Sequence, residues 1–301
     1  MAKVYLHIGL PKTATTSLQI DYFPFVNNEE YFYAGVNQPR KSNSSELYYL
    51  LNQVVATGKN VDLAQSETRK IISQGRSLVL SDEMFLVSSR AVTWQLKIER
   101  LISVFDIFDY KILLTVRDPV KAMFSFYTEM YSRYSDFQHG WEWLAENNND
   151  FRVYHYEYLL GFLTQKVDSS RIKIWKFENI VSGDLSGVDD FLDHPRMSQG
   201  YSGIKKRNEK KTRGNDDAVP VVVARKYLIL SFISRLIKIL GFSRGLVVWG
   251  WGVWKYFGFL KSEEKYLVRP TEEQMMSLMN SLPLLQGELC KKYGADYKYV
   301  R

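Results

Sequence analysis

The sequence predicts an α/β fold in which a mostly parallel central sheet is flanked by helices, with a helical, apolar insertion towards the C-terminus. Two observations predict this class. Short apolar runs typical of buried strands alternate with longer stretches of helical periodicity, as in βαβ units. Polar and charged residues follow directly on these runs, and ligands of such folds bind at the carboxyl ends of the strands.

Four strands are predicted from short runs of buried character, at 4–8, 77–80, 111–116 and 171–177. Helical patterns lie between them: one begins at 15–20, two polar helices fall within about 44–75, and others cover 92–105, 119–134 and 152–166. Because strands joined through helices run parallel, we expect the carboxyl ends of all four strands at one edge of the sheet.

Length and a mass of 35.2 kDa are those of one large domain or of a domain with an appendage, and we predict a single domain over 1–301. The net charge of +7 favours anionic partners such as phosphate, sulfate or acidic glycans. One cysteine, Cys290, excludes an intramolecular disulfide and a cysteine-based zinc site, and is typical of a reducing compartment. The first residues enter a strand pattern without a signal-peptide pattern, so we expect a cytoplasmic location.

The turn after the first strand, GLPKTATTS at 9–17, has the features of an anion-binding loop. A strand that turns into a helix leaves unpaired N–H groups at the helix start, and these attract phosphate. Gly9 allows a tight exit from the strand, and Lys12 supplies a cation. Hydroxyl donors follow at four of the next five positions: Thr13, Thr15, Thr16 and Ser17.

Other interpretations of this turn are weaker. A helix N-cap by Thr13 with an incidental lysine needs one hydroxyl rather than four. The Walker A motif of nucleotide-binding P-loops places its lysine directly after its second glycine. Here Lys12 stands three residues after Gly9, and position 14 is Ala14. The turn therefore predicts a phosphate site that is not a Walker A loop.

The exit of the third strand, LLTVRDPVKAMFSFY at 113–127, repeats the arrangement. Asp118 is a good N-cap and Pro119 suits the first helical position, so a helix is expected to begin there. Arg117 is left at the carboxyl end of the strand with a guanidinium suited to phosphate, and Ser125 lies two turns along the helix. A simple ion pair between Arg117 and Asp118 is the alternative, but two phosphate-ready turns in one sheet favour a ligand.

Together these segments resemble sulfotransferases of bacterial type that use 3′-phosphoadenosine 5′-phosphosulfate (PAPS). HIGLPKTATTSLQ resembles their 5′-phosphosulfate loop, and RDPVKAMFSFY resembles their 3′-phosphate motif, an arginine with a serine eight residues later. The later segments resemble the family more weakly: IKIWKFENI, the basic KKRNEKKTRG and the terminal EEQMMSLMNSLPLLQGELCKKYG. The resemblance spans about 1–213 and 271–301.

The resemblance implies a P-loop-like sulfotransferase fold, PAPS as donor, adenosine 3′,5′-bisphosphate as product and no metal. Lys12 would bind the phosphosulfate bridge and stabilise the leaving phosphate. Arg117 and Ser125 would hold the 3′-phosphate. The implied 5′-phosphate loop consists of Pro11, Lys12, Thr13, Ala14, Thr15, Thr16 and Ser17, and the implied basic contacts to the 3′-phosphate are Lys206 and Arg207. Ala14 stands where the family often has glycine, which is tolerable if its φ is negative.

A carboxylate base is predicted just past the second strand, in VLSDEMF. Sulfuryl transfer requires the acceptor hydroxyl to lose its proton, and similar sulfotransferases have a glutamate or histidine in this region. We prefer Glu83, because Asp82 could instead cap the following segment; two plain surface carboxylates remain the alternative. His7 is expected to pack inside the first strand, whereas His155 is a candidate acceptor contact.

An apolar and aromatic insertion is predicted over 214–270, with its most apolar part at 226–260. The apolar runs between its charges are too short for a spanning helix, which needs about 20 residues. Either this segment packs on the domain and closes the acceptor cleft, or it lies in the membrane interface with its tryptophans at headgroup level. The second interpretation would suit a lipid-linked glycan and a peripheral position on the inner membrane face.

The sequence therefore predicts a PAPS-dependent sulfotransferase that acts on a hydroxyl of a saccharide or glycolipid. The alternatives are a P-loop-like kinase, disfavoured by the missing glycine–lysine pair, and a non-catalytic protein that binds nucleotides or polyanions. Basic residues at 205–213 have no nucleic-acid recognition motif beside them, so a nucleic-acid partner is not predicted.

Overall fold

A five-stranded sheet, parallel throughout, forms the centre of the computed structural model, which describes residues 2–35, 45–89, 91–131, 140–203, 218–223, 263–281 and 287–297. The strands of this sheet are β1 (Val4–His7), β2 (Tyr31–Tyr33), β3 (Ser77–Ser81), β4 (Tyr110–Val116) and β5 (Ile172–Lys176). A separate antiparallel pair consists of β6 (Ala218–Val223) and β7 (Glu263–Val268).

Helices connect the parallel strands. The first half of the chain contributes α1 (Thr15–Ser17), a π-helical turn (Leu18–Tyr22), α2 (Phe23–Val26), α3 (Glu46–Thr57), α4 (Val61–Ser73), a 3₁₀ turn (Glu83–Leu86), α5 (Trp94–Phe105) and α6 (Pro119–Met130). The second half contributes α7 (Trp141–Asn147), α8 (Tyr156–Lys166), α9 (Phe177–Ser182), α10 (Ser186–Phe191), α11 (Glu272–Ser281) and α12 (Glu288–Lys292).

The strand order β2-β3-β1-β4-β5 creates a topological switch at β1. The chain first builds one side of β1 with β2 and β3, and then crosses to the other side to add β4 and β5. Ligands of open parallel sheets bind in the crevice where the strand order reverses, outside the carboxyl ends of the strands. The turns after β1 and β4 are therefore the expected location of a binding site.

Both faces of the sheet are covered by apolar packing. Val4 and Leu6 of β1 belong to a large cluster with side chains of α3, α5, α6 and α8. Tyr5 points to the opposite face, where Leu18, Tyr22 and Phe191 pack against it in a smaller cluster. Covering both faces is why β1 and β3 are buried along their whole length, and it gives the strand ends a rigid base.

The predicted α/β class is confirmed, and each of the four predicted strands lies within two residues of an observed one. The edge strand β2 was not predicted, because three residues are too few to show a periodic pattern. The described ends of the 214–270 insertion form the β6–β7 ribbon, which was not predicted, whereas the part predicted to be helical, 226–260, is not described. A run of valines in β6, with β-branched side chains, explains this preference for extended backbone.

The apolar segment 226–260 lies outside the described residues, as does the end of the helix predicted to continue to residue 134. Among the helices that the structure describes, none combines the length and the apolar character that crossing a bilayer requires.

Candidate active site

The turn after β1 contains two non-glycine residues in the left-handed region. Lys12 has a φ of 71° and Ala14 a φ of 64°. Each such residue costs about 1–2 kcal/mol relative to a right-handed conformation. Ala14 therefore differs from the expectation of a negative φ, and its methyl group is accommodated under strain. Backbone strain of this kind is concentrated at functional sites.

This backbone arrangement leaves a row of unpaired donors. Helix α1 begins at Thr15, directly after the left-handed Ala14, and its first paired N–H is that of Ser17, which donates to Ala14 O at 2.9 Å. Within the described ranges, no acceptor is bonded to the backbone N–H of Thr13, Ala14, Thr15 or Thr16. Consecutive N–H groups in alternating left- and right-handed conformations form a concave anion site, called a nest.

The hydroxyl groups of this turn serve two different purposes. Thr13 and Thr15 are buried, and both donate their hydroxyl hydrogens to Leu10 O, at 2.6 Å and 3.2 Å. These two side chains hold the turn together, so only their backbone N–H groups can face an anion. Thr16 is half-buried, whereas Ser17 is buried. Counting hydroxyls in the sequence could not show which of them point inward.

A buried polar network connects the turn to three strands. His7 Nδ1 lies 2.7 Å from Ser81 Oγ, and His7 Nε2 lies 3.1 Å from Thr115 Oγ1. Thr115 Oγ1 in turn lies 2.8 Å from Thr13 Oγ1 in the turn. Burial lowers the pKa of His7 to about 3, so the ring is neutral at physiological pH and acts as a hydrogen-bonding group. His7 therefore packs inside the first strand, as predicted.

Gly9 is required by this network. A Cβ at Gly9 would lie 2.3 Å from Thr115 Oγ1, 2.6 Å from His7 Nε2 and 2.7 Å from Thr15 Oγ1. All three neighbours are buried and hydrogen-bonded, so they cannot move aside cheaply.

We expect Gly9→Ala to lower the free energy of unfolding by about 2–3 kcal/mol, as overpacking of a dense interior does. The turn should also shift, so phosphate binding should weaken together with stability. Gly161→Ala is the matched control, because a Cβ on this residue of α8 would meet nothing closer than Leu289 Cδ1 at 3.9 Å. Thermal unfolding and titration with inorganic pyrophosphate measure both effects. A Gly9→Ala protein with the stability and affinity of the wild type would contradict the role of the network.

Arg117 lies next to this turn. Its Nη1 donates to Lys12 O at 3.4 Å, and its guanidinium carbon lies 4.4 Å from the centre of the Phe177 ring. Its backbone N–H donates to Tyr156 Oη at 3.2 Å, which fixes the end of β4. The predicted caps of the following helix are confirmed, since Asp118 accepts from Lys121 N and Pro119 is the first residue of α6. The two predicted anion sites are therefore adjacent.

Ser125 lies on the face of α6 that is turned towards the loop. It is half-buried, and Glu129, one helical turn further on, reaches Lys12 with Oε2 2.6 Å from Nζ. Residues four apart lie on the same side of a helix, so Ser125 and Glu129 face the same region. Sequence reasoning missed Glu129. The available signal was its spacing of four from Ser125, but an exposed glutamate on a helix is usually solvated.

Asp82 and Glu83, the two carboxylates of the turn after β3, differ in their burial. Asp82 is buried, accepts from Tyr48 Oη at 2.6 Å and from Met84 N at 2.8 Å, and caps the 3₁₀ turn. Burial raises the pKa of its carboxyl group, against the opposing effect of these hydrogen bonds. The predicted capping role of Asp82 is confirmed. Glu83, the first residue of the turn, is half-buried and less enclosed than Asp82.

Lys97 of α5 holds the turn that carries Glu83. Its Nζ donates to Met84 O at 3.1 Å and to Val87 O at 2.6 Å. Burial lowers the pKa of this lysine, while the nearby carboxylate of Asp82 raises it. A charged donor bound to two carbonyl oxygens restricts the turn, and thereby fixes the backbone position of Glu83.

Tyr154 supports the backbone of the turn after β1. Its phenol is buried and donates to Pro11 O at 3.1 Å, beside Lys12. Burial is the main reason that the pKa of Tyr154 is well above its usual value, and the negative charges of Glu129 and Glu83 add to it. The phenol therefore stays protonated and acts as a hydrogen-bond donor to the loop.

The remaining predicted contacts are Lys206, Arg207 and His155. Lys206 and Arg207 lie outside the described residues. His155 is buried at the start of α8, and burial lowers its pKa to about 4. A side chain with so little exposed surface is poorly suited to contact an acceptor.

Comparison with known proteins gives structural similarities only, since neither a family model nor a curated protein matches the chain. A sulfotransferase from Alicyclobacillus acidocaldarius shares 12% identity, with 82% of this chain and 98% of that chain covered and a TM-score of 0.43. A sulfotransferase domain from the curacin biosynthetic pathway shares 16% identity, with coverage of 67% and 78% and a TM-score of 0.38. A sulfotransferase domain from the Synechococcus PCC 7002 olefin synthase shares 12% identity, with coverage of 71% and 82% and a TM-score of 0.36. With TM-scores below 0.5, these similarities do not establish a function.

Proposed function

We propose that this protein is a sulfotransferase that moves the sulfuryl group of PAPS to a hydroxyl group of a saccharide, free or linked to a lipid. The observation that carries the proposal is the contiguity of two anion sites. The unpaired N–H groups of the turn after β1 lie beside Arg117, whose Nη1 is 3.4 Å from Lys12 O. A nucleotide with phosphates at both its 5′ and 3′ positions matches two such sites, whereas ATP has no 3′-phosphate.

The two sites divide the recognition of the donor. The N–H groups of Thr13 to Thr16 are suited to the 5′-phosphate, because a nest and a helix start both favour negative charge. Arg117, with Ser125 on α6, is suited to the 3′-phosphate, since a guanidinium binds phosphate through two parallel hydrogen bonds. The resemblance of the two sequence motifs to those of PAPS-dependent enzymes supports the same division.

Lys12 and Glu83 supply the chemistry. Glu83 takes the proton of the acceptor hydroxyl while the hydroxyl oxygen forms a bond to sulfur. The bond between sulfur and the bridging oxygen breaks, and its electron pair stays with that oxygen on the leaving phosphate. Lys12 stabilises the negative charge that develops there. The products are the sulfate ester, adenosine 3′,5′-bisphosphate and the proton on Glu83.

A transfer assay tests this function. The protein is incubated with PAPS labelled in its sulfuryl group, together with glycan and lipid extracts, and the labelled product is identified. Transfer of the label to a saccharide hydroxyl is the expected result. Binding of adenosine 3′,5′-bisphosphate without any transfer would instead indicate a non-catalytic nucleotide-binding protein. In a parallel incubation with ATP labelled in its γ-phosphate, transfer of that label would indicate a kinase.

A further inference from the structure

Lys12, the catalytic lysine of the proposed site, forms an ion pair with Glu129. Lys12 Nζ lies 2.6 Å from Glu129 Oε2, and the side chains are 24% and 42% exposed. The lysine comes from the turn after β1, whereas the carboxylate comes from the last turn of α6. The contact therefore joins two separate elements across the mouth of the site.

The side chain of Glu129 does not stabilise its own helix. It is the second-last residue of α6, where the negative end of the helix dipole disfavours a carboxylate, and the last turn contains no basic residue. Its side chain is substantially exposed, so it adds little to the apolar core. Its one close cationic contact among the described salt bridges is Lys12.

The contact has a direct consequence for anion binding. The ammonium of Lys12 is the mobile cation of the nest, and a carboxylate at 2.6 Å competes with any phosphate for it. Half-exposed ion pairs are weak, typically about 0.2–1 kcal/mol, so a phosphate group can displace this one.

We propose that Glu129 is a positioning residue that holds Lys12 in the empty site. It sets the affinity for the donor, because a phosphate group of the donor must displace the Glu129 carboxylate from Lys12. The identity of the donor rests on the proposed function. The competition between Glu129 and a phosphate group for Lys12 does not, because it applies to any phosphate group in the nest. The expected result is that Glu129→Gln tightens anion binding, although it removes a hydrogen-bonded contact of the folded protein.

The experiment is a double-mutant cycle measured by calorimetry at low salt. The probes are inorganic pyrophosphate, which tests the nest alone, and adenosine 3′,5′-bisphosphate, which tests the whole donor site. We expect Glu129→Gln to bind both probes about two- to fivefold more tightly than the wild type. In a Lys12→Ala background the same change should have little effect, because no lysine remains to be released. Added salt should reduce the difference.

Glu99→Gln is the matched control. Glu99 of α5 forms a comparable pair with Lys166, at 2.8 Å and with exposed fractions of 40% and 41%, but the pair lies away from the nest. This variant should bind both probes as the wild type does. Thermal unfolding of every variant identifies any affinity change that comes from loss of the fold.

The outcomes separate this role from its alternatives. Equal tightening with and without Lys12 overturns it, because that would be simple charge repulsion by Glu129. Unchanged or weaker binding by Glu129→Gln also overturns it. If pyrophosphate binding follows the expected order while the bisphosphate nucleotide is not recognised, the role of Glu129 is supported and the proposed function is overturned. Failure of the wild type to bind either probe overturns both.

Discussion

Lys12→Ala is expected to lower the rate of sulfuryl transfer by about 100- to 1000-fold, the usual effect of removing one group that stabilises developing charge. The leaving phosphate gains negative charge as the bond to sulfur breaks, and Lys12 is the cation at the nest. Binding of the donor should weaken by only about tenfold, because the N–H groups of the nest and Arg117 remain. The rate should therefore fall more than the affinity.

Alanine is the informative replacement at this position. It retains the Cβ of a residue with a φ of 71°, so the strain of the turn stays about the same and the ammonium alone is lost. Lys166→Ala is the control, because it removes the lysine of the comparable pair with Glu99. Single-turnover kinetics with labelled PAPS separates the chemical step from binding. If Lys12→Ala keeps most of the wild-type rate, the lysine has no role in stabilising the leaving group.

Glu83→Gln is expected to reduce turnover by about 100-fold or more, with donor affinity nearly unchanged. Glutamine has the shape of glutamate but cannot take a proton from the acceptor hydroxyl. The turn itself should persist, because its cap is Asp82 and its carbonyl oxygens are bound by Lys97. The change therefore removes the base and leaves the site assembled.

Asp82→Asn distinguishes the two neighbouring carboxylates. Asp82 is buried and accepts hydrogen bonds from Tyr48 Oη and Met84 N, so its replacement should lower the melting temperature. Glu83→Gln should lower the melting temperature less than Asp82→Asn does, and should act mainly on turnover. Full activity of Glu83→Gln would remove the assignment of Glu83 as the base.

The fold was predictable because its signal is local and strong. The strands β1, β3 and β4 are buried on both faces, so their sequences are continuous apolar runs that need no knowledge of their neighbours. The edge strand β2 and the β6–β7 ribbon were missed because their pairing depends on partners distant in sequence. Sequence periodicity contains no information about such partners when the strands are short.

The residues of the candidate site could be selected from the sequence, but their geometry could not. The spacing of Lys12 and the hydroxyl residues indicated an anion loop, yet the inward hydrogen bonds of Thr13 and Thr15 depend on how the turn folds back on Leu10. The left-handed conformation of Ala14 could not be inferred, because alanine usually avoids it. The pair between Lys12 and Glu129 joins residues more than one hundred positions apart, and only the packing of α6 brings them together.

Calorimetric titration with adenosine 3′,5′-bisphosphate and with adenosine 5′-monophosphate is the most direct measurement of whether the nest and Arg117 hold one nucleotide at two points. The bisphosphate should bind at least about tenfold more tightly, since one more phosphate gains charged hydrogen bonds. Arg117→Ala should abolish that preference while leaving the affinity for the monophosphate unchanged. Equal affinities for the two nucleotides in the wild type, or no binding of the bisphosphate, would contradict the account.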